Sequence, residues 1–171
     1  VVPRTGYIVE FNALWYNALK FCASMAAEYG DQTFAAEIEK RAELCGSSFV
    51  DTFVNEYGYL FDYVEPLDSP DWSVRPNMIF AVAFDYSPLS QAQQKSVLDV
   101  CTRELLTPKG LRSLSPKSGG YNPMYVGPQT QRDSASFMEP VTNANSPSIT
   151  LSHIVTPPKS FSSSASFSAT L

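Results

Sequence analysis

The stretch IVEFNALWYNALKFCASMAAEYGDQTFAAEIEKRAELCGSSFVDTFVNE, residues Ile8 to Glu56, decides the fold. Between Ile8 and Tyr29 the apolar residues Phe11, Leu14, Trp15, Ala18, Leu19, Cys22, Met25 and Ala26 recur at steps of three and four. That spacing predicts one helix with this face buried. Gly30 is a helix stop and Asp31 a plausible N-cap. From there Phe34, Ala35, Ile38, Ala42, Cys45, Phe49, Phe53 and Val54 keep the same period to Glu56. Two long helices across so short a link form an antiparallel helical hairpin.

Outward from this pair the chain changes character. GYLFDYVEPLDSPDWSVRPN, Gly58 to Asn77, alternates aromatic and acidic residues between prolines, which predicts a long loop with one short strand at Tyr59 to Tyr63. Met78 to Phe84 is almost wholly apolar, and Ser90 then opens an amphipathic pattern through Val97, Leu98, Cys101 and Leu105 to Leu106. These two segments read as a second hairpin, linked through SPLS. Thr107 to Asp133 is rich in Gly, Pro and Ser, the kind of long loop that is functional when ordered. Residues 134 to 171 carry eleven serines and only Glu139 and Lys159 as charges, so a poorly ordered tail is expected. The expected class is all-α, with two hairpins whose long loops gather on one face of a larger ring of helix pairs.

A chain of 171 residues has the length of one domain. Its net charge of −5 and lack of basic runs argue against a nucleic-acid partner. No apolar stretch reaches the roughly 20 residues of a membrane span, and VVPRTG lacks the apolar core of a signal peptide. Cys22, Cys45 and Cys101 have no metal-ligand spacing and fall within apolar helical patterns, so reduced, buried thiols are expected.

His153 is the sole histidine, and no nucleophile elbow, phosphate loop or dinucleotide fingerprint occurs. The residues that stand out are Arg4, Glu10, Asn12, Trp15, Asp62, Asp71, Trp72, Arg75, Asn77, Arg112 and Tyr121. Such a set suits a sugar, whose hydroxyls pair with Arg, Asn, Asp and Glu while its C–H face stacks on an aromatic ring. Each also has a plain reading. Trp15 fits a core, Asp71 a turn, Arg75 an ion pair, and Glu10 the favourable first turn of a helix.

The wording of the sequence goes further. PRTGYIVEFNALWYNAL, DYVEPLDSPDWSVRPNMIFAV, YSPLS, ELLTPKGLRSLSPKSGGYNPMYVG and QTQRD together resemble the glucosidase domain of bacterial-type glycogen debranching enzymes, over residues 1 to about 133. The resemblance implies part of an (α/α)6 helical barrel and a cytoplasmic enzyme acting on glycogen or a branched α-glucan, with no metal or organic cofactor. It implies inverting hydrolysis of α-1,6-glucosidic branches by two carboxylates, roughly 6.5–9.5 Å apart. Glu10, Asn12 and Trp15 are then expected on one wall of a glucose pocket, Arg75 and Asn77 on a second, and Arg112 and Tyr121 on a loop across it.

Two departures qualify the match. Relatives hold the general acid in a Trp-Met-Asp segment before the PRxG stretch, and this chain starts at Val1. They also follow QRD with Tyr-His-Gln-Gly and a Trp-Pro-Trp helix start before the general base, whereas this chain runs SASFMEPVTNANSPSITL. Both catalytic carboxylates are therefore expected outside the chain, with residues 134–171 a divergent or misread tail. Two hairpins do not close a barrel, so exposed apolar faces and poor solubility are expected. The alternatives are a non-catalytic helical carbohydrate-binding or interaction module and a glycosidase for another α-linked sugar.

Overall fold

The computed structural model describes residues 4–65 and 69–119, together with 121, 123, 127 and 128. The expected features of QTQRD, His153 and the serine-rich tail lie outside the described residues. Those described are mostly helical, as expected.

Helix α1 (Val9–Glu28) runs into a short link in which Gly30 takes φ 89°, a left-handed conformation that suits glycine. Asp31 then caps α2 (Gln32–Phe53), its side chain accepting a hydrogen bond from Phe34 N at 3.0 Å. Val9 and Ala13 share a core with Phe49 and Phe53, while Leu19 and Ala23 pack with Ile38 and Ala42. The start of α1 thus meets the end of α2, which makes the predicted antiparallel hairpin.

The buried face of α1 is not the predicted one. Val9, Ala13, Leu19 and Ala23 are buried, whereas Phe11, Leu14, Trp15 and Phe21 are 63%, 41%, 59% and 57% exposed. Close approach of the two helices favours small side chains at the contact. Gly46 of α2 marks this approach, because a Cβ there would come within 2.9 Å of the Tyr16 ring. The bulkier stripe is left on the flank. Cysteine burial is corrected likewise: all three thiols are free, but only Cys101 is buried, with Cys22 and Cys45 at the half-buried margin of the helix contact.

The loop after α2 also differs in detail. Leu60 makes a single bridge to Val54, and the strand falls later than expected, at β2 (Tyr63–Glu65). It lies between β1 (Tyr7–Ile8) and β3 (Ser69–Pro70), antiparallel to both, with Ile8 opposite Tyr63 and Val64 opposite Pro70. The apolar run after Asn77 is helical but short. A 3-10 turn (Pro76–Ile79) passes into the single-turn α3 (Phe80–Ala83), where the Ser87 hydroxyl donates to the Ala81 carbonyl at 2.6 Å. Helix α4 (Gln91–Glu104) begins at Ser90 with a complete capping box. A short hairpin, β4 (Leu106–Thr107) with β5 (Gly110–Leu111), leads into the next loop.

Candidate functional site

The small sheet brings distant segments together. Pairing of β1 with β2 places the first turn of α1 beside the chain that leaves α2, and Val9 N donates to the Asp62 carbonyl at 3.1 Å. Gly6, at φ 80°, makes the approach possible, since a Cβ there would strike the Val64 carbonyl. Arg4, paired with Glu10, therefore reaches a carboxylate far along the sequence.

Asp62 is the centre of the cluster. It is only 2% exposed; its Oδ1 accepts from Asn77 Nδ2 at 2.8 Å, and its Oδ2 lies 2.7 Å from Arg4 Nε and 3.7 Å from Arg75 Nε. Arg4 also grips Glu10 with both ends of its fork, Nη1 to Oε1 at 2.5 Å and Nη2 to Oε2 at 2.7 Å. Arg75 lies 3.9 Å from Asp71 Oδ2 as well. Burial pushes the Asp62 carboxyl up from its ordinary range, against the opposing pull of the Asn77 hydrogen bond and the two guanidinium charges. The Arg4 guanidinium is raised, chiefly by its hydrogen bond to Glu10.

Beside the cluster a cavity of about 550 Å³ opens along Asp71, Trp72 and Tyr57. Ser115, Lys117, Ser118 and Gly119 line its other side, held by Ser115 N on the Val74 carbonyl at 3.0 Å.

A family model described as Amylo-alpha-1,6-glucosidase matches residues 1–142. The chain belongs to the amylo-alpha-1,6-glucosidase family. That family is of the glycoside hydrolase type and links the chain to glycogen debranching. No curated protein matches the chain significantly. The match to the amylo-alpha-1,6-glucosidase family runs past Asp133 into the serine-rich segment.

Of the residues expected to line a sugar pocket in this amylo-alpha-1,6-glucosidase relative, Glu10, Arg75 and Asn77 converge on Asp62. Asn77 does not cap the following turn as its position suggested; the buried carboxylate takes its amide instead. Glu10, Asn12 and Trp15 do not form one wall. At about 100° per residue, Asn12 lies about 160° and Trp15 about 140° around the helix from Glu10. Asn12 donates to the Ile8 carbonyl at 2.8 Å, and Trp15 projects from the exposed flank. Arg112 and Tyr121 are half-buried on the segment after β4, outside the Asp62 cluster. Arg112 N donates to the Leu105 carbonyl and Tyr121 N to the Ser118 carbonyl.

Asp71 organises a turn, accepting from Ser73 N at 3.2 Å, and Arg75 lies among carboxylates. What the sequence did not reveal is the central place of Asp62. Its one signal was a carboxylate inside the aromatic run YLFDYV, where a charge is costly without partners. No group of described residues has the His, Cys, Asp and Glu arrangement of a metal site.

Proposed function

We propose that the protein serves in glycogen debranching, as a hydrolase of α-1,6-glucosidic branch linkages by the inverting, two-carboxylate route. Membership of the amylo-alpha-1,6-glucosidase family over residues 1–142 carries this reading. The ligand is the branch glucose of glycogen or a related branched α-glucan. Glu10, Arg75 and Asn77 supply the polar side of its pocket, with Arg112 and Tyr121 on the facing loop. Asn12 and Trp15 serve a separate face of α1, where the exposed indole offers a stacking surface.

None of the chain's carboxylates is assigned as acid or base. Asp62 is buried beneath its partners, and Glu10 is held in a bidentate pair with Arg4. Their chemistry suits orientation: a charged frame holds donors and acceptors at fixed angles toward hydroxyls. Cytoplasmic placement belongs to the same proposal, supported by the three free thiols.

The engagement of these carboxylates in ion pairs also favours a second reading, a non-catalytic carbohydrate-binding module. Incubating the full-length protein with a branched limit dextrin separates the two. Release of free glucose, first seen by proton NMR as the β anomer, supports inverting hydrolysis. Dextrin binding without glucose release supports the module, and release from trehalose or nigerose but not dextrin assigns another α-linked substrate.

A further inference from the structure

The cavity beside Asp71 has its own architecture. Trp72 is 46% exposed and Tyr57 67% exposed, and both rings pack against aromatic neighbours. Phe61 meets Trp72 edge-on with centroids 4.7 Å apart, and Tyr57 meets it at 5.8 Å and 69°. The Tyr59 hydroxyl donates to the Trp72 carbonyl at 3.0 Å. Asn55, buried below, accepts from Tyr57 N at 3.0 Å and Tyr59 N at 3.3 Å, which fixes the turn that presents Tyr57. Side chains held this firmly lose little freedom when a ligand arrives.

The polar rim is equally ordered. Glu104, 9% exposed, takes Lys117 Nζ at 2.8 Å, Arg103 Nε at 3.1 Å and the Ser115 hydroxyl at 3.1 Å. With Asp71 as the second carboxylate, two anions face two cations along the cleft. That balance disfavours a strongly charged ligand and suits a neutral one rich in hydroxyls. Aromatic faces beside paired donors and acceptors match a saccharide ring. The volume of about 550 Å³ falls within the about 300–1,000 Å³ of small-molecule sites.

We infer that the cleft formed by Tyr57, Trp72, Asp71, Arg103, Glu104 and Lys117 is a saccharide subsite that takes a segment of unbranched α-linked glucose chain. Its identity as an α-glucan segment rests on the proposed debranching function; its saccharide character rests on the rings and rim. Asp71 both lines the cleft and lies 3.9 Å from Arg75. The subsite therefore adjoins the Asp62 cluster, and one glucan chain spans the two.

Trp15 and Trp72 are the only tryptophans of the 171-residue sequence, so in a Trp15→Phe background the emission component that a further Trp72→Phe substitution removes reports on the cleft. Titrating the full-length protein with maltoheptaose is expected to shift that emission saturably. In the same background, Tyr57→Ala is expected to weaken the affinity about three- to tenfold, the scale of one lost ring contact. Unaltered Trp72 emission, or an unchanged affinity in Tyr57→Ala, would overturn the proposal. So would displacement of maltoheptaose by millimolar inorganic phosphate, which would mark an anion site at Arg103 and Lys117. The debranching function fails separately: a maltoheptaose response without glucose release from limit dextrin leaves the subsite standing, and glucose release without a Trp72 response removes only the subsite.

Discussion

Asp62 shows how one side chain fixes a site. A carboxylate that is 2% exposed survives because Asn77, Arg4 and Arg75 surround it, and truncating it leaves the Asn77 amide without its acceptor, while Arg4 keeps Glu10 and Arg75 keeps Asp71. Asp62→Ala is expected to destabilise the protein by about 1–3 kcal/mol, read from urea unfolding midpoints. A loss below about 1 kcal/mol would place the pair among weak surface contacts. Glu104 gives a pH signature. Its carboxyl is held below the ordinary range, chiefly by the Lys117 hydrogen bond. The unfolded chain then binds the extra proton first, so this stability is present above the unfolded value near about pH 4.3 and is lost as pH falls through the lower folded value. Glu104→Gln should flatten that part of a stability-against-pH curve, and salt should shrink the difference, since Lys117 is 76% exposed. Asp62 could not be singled out from sequence because Arg4 lies 58 residues away and reaches it only through the β1–β2 pairing.

At the scale of elements, what was legible is what is local. The cap at Asp31, the stop at Gly30 and the start of α4 at Ser90 each depend on residues within one turn, and each is found where the sequence put it. Ser90→Ala should cost about 1 kcal/mol, because Gln93 N loses its acceptor, the Ser90 hydroxyl oxygen, whereas Ser90→Gly should cost only a few tenths. Thermal melts of the two variants test this ordering. The short strand was misplaced because its register comes from Ile8 and Tyr63 meeting across the fold, which no window of residues 59–65 contains. The apolar run 78–84 was legible as the short arm before α4: helical turns cover Pro76–Ala83, and Phe84 adopts an extended backbone that ends them.

Across the whole molecule, periodicity revealed that α1 has an apolar stripe but not which neighbour would cover it. The smaller residues took the contact with α2, leaving Phe11, Leu14, Trp15 and Phe21 on the outside, with Phe34 and Leu44 exposed on α2. Apolar area of this kind drives association. The isolated 171-residue chain should sediment as concentration-dependent oligomers, and Phe11→Ser with Phe21→Ser should shift it toward monomer; a wild-type chain that stays monomeric across the concentration series would refute a sticky flank. The central claim is that the Asp62 cluster holds a branch glucose through the fixed geometry of Arg75. Its most direct test is the kcat/KM of the full-length protein for α-1,6 hydrolysis of limit dextrin, compared between wild type and Arg75→Lys, with Tm measured alongside. Lysine keeps the charge but not the planar pair of donors that a vicinal diol accepts. A sugar-binding Arg75 gives a drop of about tenfold or more in kcat/KM, corresponding to about 1.4 kcal/mol or more of transition-state stabilisation, with Tm little changed. Unchanged kcat/KM with a lowered Tm would contradict it and leave Arg75 as a structural partner of Asp62 and Asp71.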